Sequence, residues 1–232
     1  MPKQTFENLP EEKRRRLVEF AVDEFTEHPY AQASLSRIVA RAGIAKGSVY
    51  QYFDDKLDLY RWLLTHEVAR RKQEYLAAVV PIGSGDLFDR LGAMYLTGLR
   101  FLLDHPRLAR LGTRALEPSG DPDADRVHAE LRRMGLDGIR AMLADALEKG
   151  EVAAGVDINL AAHVVAQVMS PGLTGALLDR LGVDLPELIR EPSVARRIDD
   201  AALKDLVDSA AAILRRGLGG HSEDDSLKGA KR

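Results

Sequence analysis

The sequence predicts an all-α protein, with an N-terminal three-helix part built around a helix-turn-helix and a longer helical part behind it. Two observations carry this. Apolar residues recur three and four positions apart along most of the chain, and no stretch alternates apolar with polar as a half-buried strand would. Two short helical patterns also meet at Ala42-Gly43-Ile44, where glycine can take the left-handed conformation that ends a helix.

The elements follow in chain order. Met1 to Glu7 reads as a loose arm, a frayed terminus whose Lys3 could reach a phosphate. Pro10 stands at a helix start, which tolerates its missing N–H, and Glu11 and Glu12 suit the first turn. Leu17, Ala21 and Phe25, with Val18 and Phe20, form an apolar stripe. The basic run Lys13 to Arg16 either lies along a nucleic-acid backbone or is a solvated face paired with Glu12 and Glu19; the solvated face is favoured. Ser34 suits an N-cap for a helix through Leu35, Ile38 and Val39. A second short helix is expected from Ala45 or Lys46 to about Phe53. Asp54 and Asp55 then start a long helix reaching about Val79, with Leu57, Leu59, Tyr60, Trp62, Leu63, Leu64 and Val68 as its apolar residues. Pro81-Ile82-Gly83-Ser84-Gly85 is a break. Further helices are expected over 86–104, 106–116, 124–149, 160–181, 186–190 and 194–218, and the polar tail 219–232 is expected to be disordered.

Composition narrows the function classes. The chain has 232 residues, 45% hydrophobic and 30% charged, which suits a soluble globular protein. No basic-then-apolar leader is visible, and no run of about 18 apolar residues predicts a membrane span. Without cysteine there is no disulfide or thiolate metal site, which fits a cytoplasmic location. The six histidines are scattered, and there is no phosphate loop and no Gly-x-Ser-x-Gly elbow. No catalytic residue, metal ligand or cofactor is therefore expected. The net charge is −3, so a nucleic-acid binder of this composition must concentrate its positive charge locally.

A short helix, a glycine turn and a second short helix make a helix-turn-helix, whose second helix enters the DNA major groove. Val49 and Phe53 give that helix one apolar face. Lys46, Ser48, Tyr50, Gln51 and Tyr52 are assigned to the other, with no acid among them. Gly47 lets backbone approach a phosphate closely. An ordinary solvated helix with two half-buried tyrosines has the same composition.

The stretch from Ala42 to Leu59, with Val18, Ala21, Phe25, Ile38 and Ala40 upstream, resembles the N-terminal signature of the tetracycline-repressor (TetR) family of transcriptional regulators. The resemblance covers about residues 9–60; the remainder is similar only in length and helical character. Two departures stand out. His28-Pro29-Tyr30 replaces the glycine that usually closes the first helix, and Ala45 replaces a common capping serine. The resemblance implies a repressor that binds a palindromic operator in double-stranded DNA as a homodimer and is released by a small-molecule effector. It implies a DNA-binding domain over 9–56, an effector-binding and dimerisation domain over 57–218, and a tail over 219–232. The expected DNA-facing residues are Ser34, Ser36, Arg37, Lys46, Gly47, Ser48, Tyr50, Gln51, Tyr52 and Lys56. Lys46 and Gln51 are the candidates for base edges, and Ser48, Tyr50, Tyr52 and Lys56 for phosphates.

Residues 158–181 and 194–218 are apolar nearly all round, a pattern of helices buried on more than one side and suited to a symmetric dimer. A monomeric core would show the same pattern. Trp62, His66, Tyr95, Leu99, Met134, Met142, Val165 and Met169 combine apolar bodies with occasional polar tips, as effector pockets do and as ordinary helical cores do. A lipophilic or aromatic effector is preferred. The alternative class is an all-helical enzyme or ligand carrier that does not bind DNA.

Overall fold

The computed structural model describes residues 2–79 and 85–220; the side chains of Lys46, residues 76–79 and Met169 lie outside that description. The protein is all-α. In order, the helices are α1 (Gln4–Glu7), α2 (Glu11–Glu27), α3 (Leu35–Ala42), α4 (Lys56–Trp62), α5 (Val68–Val79), α6 (Leu87–Asp104), α7 (Pro106–Arg114), α8 (Pro122–Glu148), α9 (Ile158–Gln167), α10 (Leu173–Leu181), α11 (Leu185–Arg190) and α12 (Asp200–Leu218). Short 3-10 helices lie at Tyr30–Gln32, Lys46–Gln51 and Pro192–Arg197, and π turns at Leu63–Glu67 and Val168–Gly172. Among the described residues the extended pairing is a single bridge, Val152 with Gly219.

The chain forms two compact units. The first comprises Met1–Ala78, Phe101–Arg133 and Leu185–Pro192; the second comprises Val79–Arg100, Met134–Asp184 and Ser193–Arg232. Both are assembled from separated stretches of chain, so neither ends at residue 56.

The stripe on α2 does what its spacing implies. Leu17, Val18, Ala21 and Phe25 are buried in the first unit's core with Ile38, Phe53, Leu59, Tyr60 and Leu63. Where the sequence suggested a loose N-terminal arm, the structure has α1, with Phe6 fully buried against Phe53 (4.9 Å between ring centroids) and Trp62 (5.0 Å). Burial of the Phe6 ring and its tilted and edge contacts with the other two favour the ordered arm. The helix α2 ends without the family's glycine. His28 is extended (φ −118°, ψ 138°), as the residue before a proline prefers. Tyr30 then turns inward onto Phe25 and Tyr60.

The second unit buries Leu87, Phe88, Leu91, Tyr95 and Leu99 of α6, Leu143 and Ala146 of α8, Ala161, Ala162 and Val165 of α9, and Leu203 and Val207 of α12. The expected single helix over 194–218 is interrupted. Asp199 caps α12 by accepting from the Ala202 N–H at 2.8 Å, which sets its start after the 3-10 turn. The stretch Ile158–Leu181 also carries a π turn around Pro171, which has no N–H for an α ladder. By length and composition it could cross a membrane, although His163, Gln167, Thr174 and Asp179 interrupt its apolar run. Of the expected break at 81–85 only Gly85 is described, and of the expected disordered tail 219–232 only Gly219 and Gly220; Gly219 is ordered by its pairing with Val152, and the rest lies outside the described residues.

Removing the Phe6 ring tests the anchored arm. Phe6→Ala should destabilise the protein by about 3–5 kcal/mol, as burying and then deleting a core aromatic does, read by urea unfolding. An unchanged midpoint would mean that the arm is frayed after all.

Candidate nucleic-acid interface

The helix-turn-helix is closed by local chemistry. Ser34 caps α3, its hydroxyl accepting from the Arg37 N–H. Gly43 is left-handed (φ 69°, ψ 33°), a conformation that favours glycine, and its N–H and that of Ile44 turn back to Ala40 and Val39 carbonyls.

The second element is a 3-10 helix over Lys46–Gln51 instead of an α-helix running to Phe53. Ala45 offers no capping oxygen, and the turn closes by i to i+3 bonds such as Ser48 N–H to the Ala45 carbonyl at 2.8 Å. With about three residues per turn, positions three apart share a face. Val49 is buried and Tyr52, three later, is half-buried beside Phe6, so Tyr52 leaves the outward set to which the sequence assigned it. Phe53 is buried as expected. Gly47, Gln51 and Tyr50, the last 51% exposed, face outward; Ser48 is half-buried. The Lys46 side chain lies outside the described residues.

The N-terminal arm completes this element. Lys3 donates from its backbone N–H to the Tyr52 carbonyl (2.8 Å) and from Nζ to the Tyr50 carbonyl (2.9 Å), and the Thr5 hydroxyl donates to the Gln51 carbonyl. These are the carbonyls that a helix end leaves unpaired. Lys3 also pairs with Asp54 at 2.8 Å and holds that carboxyl below the usual carboxylate range. The signal in the sequence was Phe6, a large apolar residue in an otherwise polar arm.

Behind the reading face, one turn is gripped from three helices. Glu24 of α2 is 2% exposed and accepts from the Ser34 N–H (2.8 Å) and from Arg37 Nε (3.0 Å). Burial pushes its carboxyl up, but Arg37 and the Ser34 N–H outweigh burial, and it titrates below the ordinary glutamate value. A depressed carboxyl stabilises the fold above its unfolded pKa, and that contribution is lost as pH falls through the folded one. Arg37 also donates to the Gln32 carbonyl at 2.8 Å. Its guanidinium, expected on DNA, is thus committed within the fold. So is Lys56, whose Nζ donates to the Tyr30 (2.8 Å) and Ala33 (3.2 Å) carbonyls and sits 4.1 Å over the Tyr30 ring. Burial holds the Lys56 ammonium below its usual range and pushes Tyr30 up to about 12. Asp55 caps α4 by accepting from the Asp58 N–H at 2.8 Å. Ser36 is exposed on α3. In the basic run, Arg15 lies 4.0 Å from Glu19 and Arg14 lies 3.5 Å from Glu7, the arrangement of a solvated face.

The expected effector residues divide between the units. Trp62 is partly buried and packs against the core of the first unit, and His66 is exposed and stacked against it at 6.4 Å. Tyr95, Leu99 and Val165 are buried in the second unit, and Met142 is half-buried. Met134 is 66% exposed on α8, which removes it from an enclosed pocket wall. The Met169 side chain lies outside the described residues.

Residues 17–62 match the sequence profile of the bacterial regulatory proteins of the tetR family. The chain is 32% identical to a TetR family transcriptional regulator from Chloroflexus aurantiacus J-10-FL, covering 95% of this chain and 100% of that one, with a TM-score of 0.75. It is 34% identical over 105 residues to the HTH-type transcriptional repressor SCO4008 of Streptomyces coelicolor, covering 44% of this chain and 48% of that protein. It shares its fold with the transcriptional regulator FadR of Bacillus subtilis, solved in complex with stearoyl-CoA. That similarity is 19% identity over 88% of this chain and 98% of that one, with a TM-score of 0.63.

The internal bonding of Lys56 makes a measurable distinction. Lys56→Met should lower unfolding stability by about 1–3 kcal/mol, the range for buried carbonyls that lose a charged donor, read by urea denaturation. A variant with unaltered stability and only a shallower salt dependence of DNA binding would place Lys56 on phosphate instead.

Proposed function

The chain belongs to the tetR family of bacterial regulatory proteins, and from that premise we propose how it reads DNA and what releases it. It is a ligand-responsive, DNA-binding transcriptional regulator. In the proposed arrangement a homodimer reads an inverted repeat, each copy presenting its 46–52 segment to one major groove. The carrying observation is the outward face of that segment. Gly47, Tyr50 and Gln51 are exposed with no carboxylate among them, and the nearby Asp54 is neutralised by Lys3. A first side-chain carbon at Gly47 would meet nothing within 4 Å, so packing within the fold does not account for glycine there, and we assign it to close approach of the backbone to a phosphate. Gln51 is assigned to an adenine edge, and Lys46, which shares the Val49 register at the first position of the turn, is assigned to guanine through the reach of its long stem. Ser36, Ser48 and Tyr50 are assigned to the backbone, and Ser34, Arg37, Tyr52 and Lys56 to holding the reader in shape.

The functional division proposed is a reader over 9–56 and an effector-binding and dimerising part over 57–218. Leu160 (63% exposed) and Val164 on α9 and Ile213 (67% exposed) on α12 support a paired surface, since apolar side chains of this size are costly to leave in water. A second copy covers them without the desolvation that a membrane would impose on His163 and Gln167. The effector proposed is lipophilic, in keeping with the aliphatic core of the second unit, and its binding releases the operator. A protein that acts on chromosomal operators works in the cytoplasm. Similarity to the Streptomyces repressor favours repression over activation.

Two measurements test this. Operator DNA selected from genomic fragments should be shifted by the protein at low salt, and Gln51→Ala should relax preference at single base pairs by about 1–3 kcal/mol while leaving the salt slope unaltered. A helical enzyme or carrier would shift no DNA. For the dimer, Ile213→Glu should sediment as a folded monomer at micromolar concentration, because an unpaired charge buried in an interface costs about 3–5 kcal/mol. Wild-type protein that is already monomeric there would sink the paired surface.

A further inference from the structure

Tyr95 lies in the middle of α6 and is 2% exposed, yet its hydroxyl has no hydrogen-bond partner among the described residues. Folded proteins pair nearly all such groups, because a buried donor left alone has given up its water for nothing. Tyr60 shows the ordinary solution in the first unit, where its equally buried hydroxyl meets His128 Nε2 at 2.8 Å.

The surroundings of Tyr95 on α6 are uncharged. Leu91 and Leu99, one turn before and after it on the same helix face, are buried. Burial alone acts on its ionisation, pushing it up, with no charged side chain contributing, so the hydroxyl stays a neutral donor at any working pH. Gly92 and Gly98 stand three positions to either side of Tyr95, and at Gly92 a first side-chain carbon would meet Val207 at 3.8 Å, ordinary contact. At Gly98, which is half-buried, a first side-chain carbon would meet nothing within 4 Å. Packing does not demand glycine there, and a helix interior is weakened by it.

We propose that the Tyr95 hydroxyl anchors a neutral, mainly apolar ligand of the second unit that carries one hydrogen-bond acceptor, such as a ketone or ester carbonyl. The inference deepens the effector reading above and rests on it. A carbonyl supplies the missing acceptor, and the aliphatic neighbours take the hydrocarbon. A carboxylate or ammonium ligand is disfavoured because it would be buried there without a counter-charge.

The test is calorimetric titration of the full chain, wild type and Tyr95→Phe, with 2-nonanone and with octanoate at neutral pH, together with the melting points of both proteins free of ligand. Wild type should bind 2-nonanone about tenfold more tightly than octanoate, and Tyr95→Phe should weaken 2-nonanone about tenfold, or ~1.4 kcal/mol. Ligand-free Tyr95→Phe should melt no lower than wild type, since it loses no hydrogen bond. The proposal is overturned by equal ketone affinity in the variant, by octanoate binding as tightly as the ketone, or by no ketone binding to wild type. A lower melting point of the variant would overturn it as well, by revealing a partner within the fold. Operator binding by the ligand-free proteins is scored separately, so failure of the regulator reading and failure of the Tyr95 anchor are distinguishable.

Discussion

The reader depends on one buried carboxylate. Glu24, 2% exposed on α2, accepts from the first N–H before α3 and from the Arg37 guanidinium within α3. Arg37 and Lys56 then close on the carbonyls of the same turn, at Gln32 and at Tyr30 and Ala33. Three helices thus meet at residues 30–34 through charge-assisted bonds, which are shorter and stronger than neutral ones. A buried ion pair adds little net stability over an apolar substitute, but breaking one partner is severe. Its contribution here is geometric: it sets the angle at which α3 leaves α2, and with it the position of the glycine turn and the reading face.

The second element of the helix-turn-helix is small and is held by the rest of the unit. The 3-10 helix over Lys46–Gln51 has six residues and no side-chain cap at its start. Its inner face is held by Val49 and its terminal carbonyls by Lys3 and Thr5 from the other end of the domain. The same arm buries Phe6 among Phe53 and Trp62. Order in this segment is therefore supplied from behind, by aromatic packing and by an N-terminal segment far away in sequence. Few outward side chains are then needed for internal bonding, which leaves Tyr50 and Gln51 available to a partner.

The second unit has a different economy of polar groups. Its aliphatic core is supported by ion pairs at its edge, such as Arg90 with Glu151 and Arg215 with Asp86 and Asp89. The unpaired hydroxyl of Tyr95 lies within the core. The apolar residues it leaves on the outside, Leu160, Val164 and Ile213, are concentrated on α9 and α12. These two features, an inner polar orphan and an outer apolar face, have the chemistry of a ligand anchor and a subunit contact.

Most of the helices, the Ser34 cap, the Gly43 turn and the inward side of Val49 and Phe53 were legible in the sequence, because each depends on residues within one or two turns. Helical spacing, an N-cap and a left-handed glycine are local rules, and the local chain obeys them. What the sequence could not settle depended on distant partners. The 3-10 form of residues 46–51 turned Tyr52 inward, the fold engaged Arg37 through the Glu24 carboxylate thirteen residues away and the Gln32 carbonyl, and it engaged Lys56 through the Tyr30 and Ala33 carbonyls, which have no side-chain identity to read. The arm became ordered because Phe6 found two rings more than forty residues away. Sequence alone thus determined the kinds of helices and the turn that joins them. Only the tertiary structure decided which polar side chains are bonded within the fold and which stay at the surface, because the neighbours that engage a charge are not revealed by the linear order.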